Sequence, residues 1–342
     1  MAQSPSHNRR FVLARHAEGE PTPDVFRFEN VAVPVPGPKQ ILLRTLWLSL
    51  DPYMRVRINK EDAYMPSVKP GEVMVGGTVS RVEASNHPDY QVGDLVQAHS
   101  GWQDFAVSDG ADIRVKLPAT APHPSWYVGA LGMPGFTAWH GLINIGKPRT
   151  GETFVVSAAT GAVGQIVGQL AKQRGCRVVG IAGGADKCKY AVGELGFDAC
   201  ADHKSLNFSD DLALACPKGI DIYFENVGGP VFDAVEPLLN IGARMPVCGQ
   251  IAHYSGGGLE GRDRLPGFMA NALFKRLKVE GFIIFDHYAD RYGNFLGEVA
   301  PMVQDGRVRV REHVVDSLEG APQGLIELLK GGNFGKVVVK VA

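Results

Sequence analysis

The sequence predicts an α/β protein of two parts, a small β-barrel or sandwich and a doubly wound parallel sheet. Three observations carry this: short β-rich runs up to about residue 125, strand–helix alternation from there to about 304, and a glycine turn at 159–164 set between a buried strand and an amphipathic helix. The chain's 342 residues suffice for two substantial cores.

In the first part, β-rich runs recur at Val25–Val33, Ile41–Leu50, Val73–Ala84, Asp94–Ala98, Phe105–Ser108 and Ile113–Leu117. Turn clusters such as Pro34-Val35-Pro36-Gly37-Pro38 separate them, and Gly71, Gly77 and Gly93-Asp94 are expected at tight corners. The pattern changes near Ser125. Strands are expected near 153–158, 177–182, 198–202, 220–225, 243–248 and 278–285, with helices such as Ala185–Leu195 and Pro230–Leu239 between them. The tail reads as strand (Val308–Val315), helix (Leu318–Leu329) and strand (Lys336–Val341), and is expected to return to the first domain. The expected domains are therefore 1–125 with 305–342, and 126–304.

Composition excludes several classes. With 45% hydrophobic and 21% charged residues and a net charge of −1, no global field favours nucleic acid or an anionic membrane. No apolar run approaches the ~20 residues of a membrane span, and the first sixteen residues lack the apolar core of a signal peptide, so a cytoplasmic protein is expected. The five cysteines form no CxxC pair, which argues against a disulfide framework or a zinc cluster. Cys176, Cys200 and Cys248 lie in or beside expected strands and read as apolar packing.

The stretch Thr153–Ala182 reads strand, glycine turn, helix, strand, the phosphate-binding end of a dinucleotide site. Its turn, Ala159-Thr160-Gly161-Ala162-Val163-Gly164, has the G-x-G-x-x-G spacing with alanine first. Gly161 lets the backbone approach a pyrophosphate, Gly164 lets helix and strand pack closely, and the helix N-terminus offers unpaired N–H groups to an anion. Val163, Ile166, Val167, Leu170 and Ala171 form the buried stripe, and Gly175 ends the helix. An NAD site usually carries Asp or Glu about 20 residues past the glycines. Here the second strand ends in Ala182-Gly183-Gly184, which leaves room for a 2′-phosphate and favours NADP(H). Lys187 is the best-placed partner for that phosphate and Lys189 the second; both also read as solvated residues of a helix's first turn.

Four further segments, Leu48-Ser49-Leu50-Asp51-Pro52-Tyr53-Met54-Arg55, Met133-Pro134-Gly135-Phe136-Thr137-Ala138, Phe224-Glu225-Asn226-Val227-Gly228-Gly229 and Asn333-Phe334-Gly335-Lys336, together resemble the leukotriene B4 dehydrogenase/prostaglandin reductase family. This is a zinc-free branch of the medium-chain dehydrogenase/reductases, and the resemblance runs through nearly the whole chain. It implies a GroES-like barrel, a Rossmann domain, a homodimer, and NADPH-dependent reduction of the carbon–carbon double bond of α,β-unsaturated ketones and aldehydes. It also implies that Met133, Thr137, the turn 160–164, Asn226 and Asn333 contact the cofactor, and that Lys187 binds its 2′-phosphate. Cys248, Gly249, Phe282, Ile283 and Ile284 match segments on the nicotinamide side, and Tyr254 matches a tyrosine near cofactor and substrate. His203 stands where the family often has tyrosine at the adenosine-phosphate end; its titration would make NADPH affinity change between pH 6 and 8.

In such a reaction the β-carbon takes a hydride and the resulting enolate is protonated at the α-carbon, so the protein must orient the reactants and aim donors at the oxyanion. No metal is required. Tyr53 and Tyr254 are the candidate donors, and Tyr53 has a second reading as a ring packed in the barrel. His99, His140 and His253 read as hydrogen-bonded structural residues. The glycine-rich loop Ser255–Gly261 reads equally as a lid or a connection. Two other functions remain open from sequence: an NADPH:quinone oxidoreductase, and a non-catalytic NADPH-binding protein.

Overall fold

A computed structural model describes residues 7–119, 121–256 and 264–342. In chain order the strands are β1 (His7–Leu13), β2 (Phe26–Ala32), β3 (Ile41–Ser49), β4 (Thr78–Ser85), β5 (Leu95–Ala98), β6 (Phe105–Ser108), β7 (Val115–Lys116), β8 (Thr153–Ser157), β9 (Arg177–Ala182), β10 (Ala199–Asp202), β11 (Ile220–Phe224), β12 (Leu239–Val247), β13 (Lys278–Gly281), β14 (Glu312–Asp316) and β15 (Lys336–Lys340). The helices are α1 (Tyr53–Arg57), α2 (Met133–His140), α3 (Gly164–Gln173), α4 (Ala185–Gly193), α5 (Phe208–Ala215), α6 (Gly229–Val235), α7 (Leu265–Lys275), α8 (Tyr288–Gln304) and α9 (Ala321–Leu329). The chain divides into two compact units, Met1–Gly129 with Glu312–Ala342, and Ala130–Arg311.

The first unit is built on a seven-stranded sheet in the order β14-β15-β3-β4-β5-β7, with β6 also paired to β3. The tail enters this sheet because β15 runs antiparallel to β3, Val339 opposite Leu48. β1 and β2 form a separate antiparallel ribbon with Phe11 opposite Phe28. β1 was not legible because its first half is charged: Arg9 pairs with Asp104 at 2.8 Å and Arg10 with Glu29 at 2.8 Å, while only Phe11, Val12 and Leu13 enter the core. Gly71 and Gly93 adopt positive φ as corner residues; Gly77 does not, and simply leads into β4.

The second unit is a six-stranded parallel sheet in the order β10-β9-β8-β11-β12-β13. Strand order reverses between β8 and β11, the first and fourth strands, which is where doubly wound sheets bind ligands. β8 is buried along its whole length, as the continuous apolar run TFVVS requires of a central parallel strand. Each fully buried valine or phenylalanine contributes about 1.5–3 kcal/mol. The expected strand over 278–285 ends at Gly281, and a 3-10 turn follows at Ile284–His287. All four residues of β13 are exposed, and among the described residues its outer edge has no sheet neighbour.

Candidate active site

The reversal point of the parallel sheet is locked by polar bonds at the strand tips. Asn226, just past β11, donates from Nδ2 to the Ser157 carbonyl at 2.8 Å, and its N–H donates to Ser157 Oγ at 2.9 Å. Buried Glu225 accepts from Tyr223 Oη (2.9 Å), Val227 N (2.7 Å) and Gly228 N (3.0 Å). These bonds hold the two tips together and set the backbone of the glycine turn. Thr160 is buried while Gly161, Ala162 and Val163 are half-exposed, so the turn itself faces outward. A Cβ on Gly164 would stand 2.3 Å from the Ala158 carbonyl oxygen, so only glycine lets α3 start this close to β8. The left-handed residue of the turn is Ala158, with φ +52, one position before the alanine that replaces the first glycine. Gly175 closes α3 with φ +77.

At the tip of β9 a small basic pocket forms. A Cβ on Gly183 would lie 2.8 Å from His203 Nε2 and 3.1 Å from Lys204 Cε, so the missing side chain is the space that admits both groups. Half-buried Lys187 has its pKa pulled below the ordinary lysine value by burial and by the charge of Lys204. Lys189, the other candidate, is exposed on the helix. Asp202, the acidic residue of this corner, accepts from Gly184 N (2.8 Å) and Lys204 N (2.9 Å), so it shapes the turn. His203 is pushed below its ordinary value of 6.5 by burial, with Lys204 and Lys187 opposing its charge. Burial thus shifts the titration of His203 to lower pH than that of an ordinary imidazole.

Beyond β12, Cys248 N (2.9 Å) and Gly249 N (3.2 Å) both donate to the Glu225 carbonyl, which brings this loop to the Asn226 tip. Burial and Glu225 push the Cys248 thiol up to about 12, so it stays protonated. Tyr254 folds back over Gly249, where a Cβ would lie 2.9 Å from its hydroxyl oxygen. That oxygen accepts the Gln250 N–H at 3.4 Å, and burial raises the phenol above its ordinary pKa, leaving it an O–H donor at every working pH. Of the loop Ser255–Gly261, residues 257–261 lie outside the described residues.

On α2, Thr137 Oγ1 donates to the Met133 carbonyl at 2.7 Å, so its hydrogen is used within the helix. Phe282 packs 5.5 Å from the His140 ring and edge-on to Phe224 at 6.4 Å; Ile283 is half-exposed and Ile284 buried. His140 stacks on His287 at 3.9 Å and shares Asn144 Nδ2 at 3.2 Å, while Arg291 bonds Asn144 Oδ1 at 2.7 Å. Burial, then His287 and Arg291, lower the His140 pKa to about 4. Between that value and 6.5 the unfolded chain binds a proton that the folded one refuses, so stability is complete above 6.5 and falls as pH drops toward 4. The expected loss is on the order of 2–3 kcal/mol, and it should vanish in His140→Gln when unfolding is followed in urea from pH 7 to 4.5. An unchanged pH profile in that variant would remove His140 as the cause.

In the first unit, Tyr53 opens α1 with its ring against the barrel core and its hydroxyl 3.3 Å from His99 Nε2. The ring is thus packed against the barrel core, as its second reading expected, and His99 is a polar neighbour of its hydroxyl. Burial lowers the His99 pKa below that of an ordinary imidazole. Lys336 fixes the turn before Tyr53, with Nζ donating to the Leu50 carbonyl (2.6 Å) and Asp51 Oδ1 (2.8 Å). Ser49 Oγ donates to the other Asp51 oxygen. Asn333 is half-exposed and donates from Nδ2 to the Gly335 carbonyl at 2.7 Å. Tyr53 and Asn333 thus belong to the first unit and the remaining candidates to the second. Sequence reasoning passed over Lys204, Ser157, Glu225 and the role of Lys336. Lys204 alone had a local signal, its place next to His203.

The pocket fits an NADP(H) adenosine phosphate. An outward-facing glycine turn at a helix start, and a neighbouring corner with Lys187, Lys204 and His203 crowded where Gly183 has no side chain, form an anion cradle with a second anion position. Among the described residues, no group of three or more His, Cys, Asp or Glu is placed to hold a metal ion.

Residues 9–115 match the family described as N-terminal domain of oxidoreductase, and residues 162–300 the one described as zinc-binding dehydrogenase. The chain is 56% identical to the NADPH-dependent curcumin reductase of Escherichia coli (strain K12), over 100% of this chain and 99% of that protein. It is 39% identical to a 2-alkenal reductase (NADP(+)-dependent) of Nicotiana tabacum, over 98% of each. The crystal structure of CurA in complex with NADPH from Vibrio vulnificus superposes with a TM-score of 0.94 at 52% identity, covering 98% of this chain and 99% of that one.

Proposed function

Since this chain belongs to the zinc-independent medium-chain dehydrogenase/reductase family of curcumin, 2-alkenal and prostaglandin reductases, we propose that it reduces the carbon–carbon double bond of small α,β-unsaturated ketones and aldehydes with NADPH. The observation that carries this reading is the Gly183–Lys187–His203–Lys204 corner beside the glycine turn, which selects the phosphorylated dinucleotide. The quinone reductase and non-catalytic readings are not favoured, because the relatives at this identity are reductases of conjugated alkenes.

NADPH, when bound, supplies the hydride that the β-carbon takes up, leaving an enolate to be protonated at the α-carbon. The Gly161–Gly164 turn would hold the pyrophosphate and Lys187 and Lys204 the 2′-phosphate, while Asn226 ties the two strand tips together through Ser157. Met133, Thr137, Cys248, Gly249, Phe282, Ile283, Ile284 and Asn333 complete the cofactor-binding set in this reading. Tyr254, a half-buried phenol whose pKa is raised above its ordinary value, donates to the oxyanion and delivers the proton. Tyr53 is the second candidate donor, its hydroxyl 3.3 Å from His99 Nε2. Tyr254→Phe is expected to lower kcat about 10²-fold and Tyr53→Phe about tenfold or less, in steady-state assays with an aliphatic enone. Full turnover in Tyr254→Phe would transfer the donor role elsewhere.

The test of the function follows NADPH and NADH consumption with alkenals, enones, curcumin-like diketones and quinones, with products identified by mass. A saturated carbonyl product is expected. Quinone turnover with every alkene intact, or no oxidation of NADPH with any acceptor, would reject the reading.

We also propose a homodimer in the cytoplasm. Among the described residues no helix is long and apolar enough to cross a membrane, and all five cysteines are free thiols, as a reducing compartment permits. The exposed edge β13, with Leu273, Phe274 and Val279 beside it, is the kind of edge that a second copy covers by two-fold pairing. Light scattering is expected to give twice 36.8 kDa, and Val279→Pro a monomer. A monomeric parent protein would end this proposal.

A further inference from the structure

Tyr53 and His99 lie 46 positions apart in the first unit, yet the phenol oxygen stands 3.3 Å from His99 Nε2. Both side chains are half-buried, so the pair is neither sealed in the core nor left in bulk water. Each partner is held from its own side. Tyr53 follows the turn that Lys336 fixes, and buried Arg55 on the same helix donates to the Gly19 carbonyl and to Asn59 Oδ1. His99 follows β5, and its backbone N–H donates to Asp112 Oδ2 at 3.1 Å. Ser108 Oγ donates to the other oxygen of that carboxylate. The Nδ1 edge of the ring lies over Gly77, where a Cβ would stand 3.9 Å from Nδ1, an ordinary packing distance.

A hydrogen bond between these two groups has two possible senses. An uncharged imidazole carries one hydrogen, and the nitrogen that holds it decides the sense. With the hydrogen on Nδ1, Nε2 accepts the phenol O–H, and only lone pairs are left to face an oxyanion. With the hydrogen on Nε2, the ring donates to the phenol oxygen and the phenol hydrogen stays free for a third group. That N–H···O–H chain also polarises the phenol and makes it the better donor. Burial, then the charge of Arg114, disfavours the imidazolium; Asp112 and Asp51 oppose this, and Arg57 adds to it.

We propose that His99 is a positioning residue for alkene reduction, its Nε2–H donating to the Tyr53 oxygen so that the phenol hydrogen turns to the enolate oxygen. The proposal rests on the enone reductase reading above and gives a reaction role to a histidine whose sequence reads as structural. His99 touches neither substrate nor cofactor in this role, and no proton leaves its ring. It acts through Tyr53, so its effect is bounded by the loss expected for Tyr53→Phe. A donor that strengthens only as charge builds on the oxygen lowers the barrier and leaves ground-state binding alone.

The experiment uses the full-length protein, NADPH and an aliphatic enone. Nitrogen NMR on isotope-labelled histidine at about pH 8 reads the tautomer, the His99 signal being the one missing from His99→Gln. An Nε2–H ring is expected, and an Nδ1–H ring would overturn the proposal. Steady-state assays then compare Tyr53→Phe, His99→Leu, His99→Gln and the double variant Tyr53→Phe/His99→Leu. His99→Leu should lower kcat about three- to tenfold, the worth of one neutral hydrogen bond, with both KM values within about twofold of the parent. His99→Gln, whose amide N–H can replace that of Nε2, should recover most of the loss. The double variant should be no slower than Tyr53→Phe, because the histidine has nothing to act on once the hydroxyl is gone. Losses that multiply in the double variant, a glutamine variant as slow as the leucine one, or full turnover in His99→Leu would each sink the idea. The tautomer is read on the parent protein, so a leucine variant that fails to fold leaves the test intact. A parent protein that oxidises no NADPH with any enone would overturn the function reading instead, while the tautomer still judges the Tyr53–His99 bond.

Discussion

Lys336→Ala is expected to destabilise the protein by about 3–5 kcal/mol, the cost of leaving buried charge without its partner. Lys336 is 1% exposed and Asp51 3%, so neither reaches water when the other is removed. Glu312 adds to the burden. It is half-buried, its Oε2 accepts from Ser125 Oγ at 2.9 Å, and its buried Oε1 has no hydrogen-bond partner among the described residues. Burial raises the Glu312 pKa and lowers that of Lys336, as expected where charges are taken out of water and compensated mainly by one another. Lys336→Met keeps the aliphatic stem packed and isolates the charge, so most of the loss should persist in it. The Leu50 carbonyl that Lys336 holds lies three residues before Tyr53, so turnover in both variants should fall with stability. Urea unfolding at pH 7 decides the matter, and a loss below about 1 kcal/mol in both variants would show that the ion pair contributes little.

The second large effect is at the cofactor. Lys187→Ala is expected to raise the NADPH Kd about 10- to 100-fold while changing NADH binding less than about twofold, because a charge-assisted bond to a phosphate is worth about 1.5–3 kcal/mol. Lys187 and Lys204 repel each other before the cofactor arrives, and a phosphate dianion between them turns that repulsion into attraction. Fluorescence titration with both dinucleotides gives the ratio. Equal weakening of NADPH and NADH would mean that Lys187 shapes the pocket without reading the phosphate.

Most of the nucleotide site was legible in the linear chain because its chemistry is local. The turn at 159–164, the helix behind it and the acid-free tip of β9 lie within about thirty residues, and each leaves a periodic or compositional trace. The expected and observed strands agree closely at 177–182 and 105–108, where apolar runs end at clear turn residues. They diverge where burial is not what makes the strand. β1 carries two arginines matched by distant carboxylates, and β13 is wholly exposed and stops four residues early.

By itself the sequence determined the class of fold, the dinucleotide turn, the preference for a phosphorylated cofactor and the family whose chemistry the chain shares. Each of these is written in short-range patterns: side-chain periodicity, glycines where backbones must touch, and a missing carboxylate. Only the tertiary structure decided which buried charges compensate one another, such as Lys336 with Asp51 across 285 positions, and that Tyr53 rests on His99 across 46. It also placed His203 and Lys204 against Gly183, where a Cβ would meet both. The physical reason is one of range. A backbone conformation is chosen by neighbours in sequence, but the free energy of a buried polar or ionisable group depends on whichever atoms the fold brings within about 3 Å, and no local pattern records those.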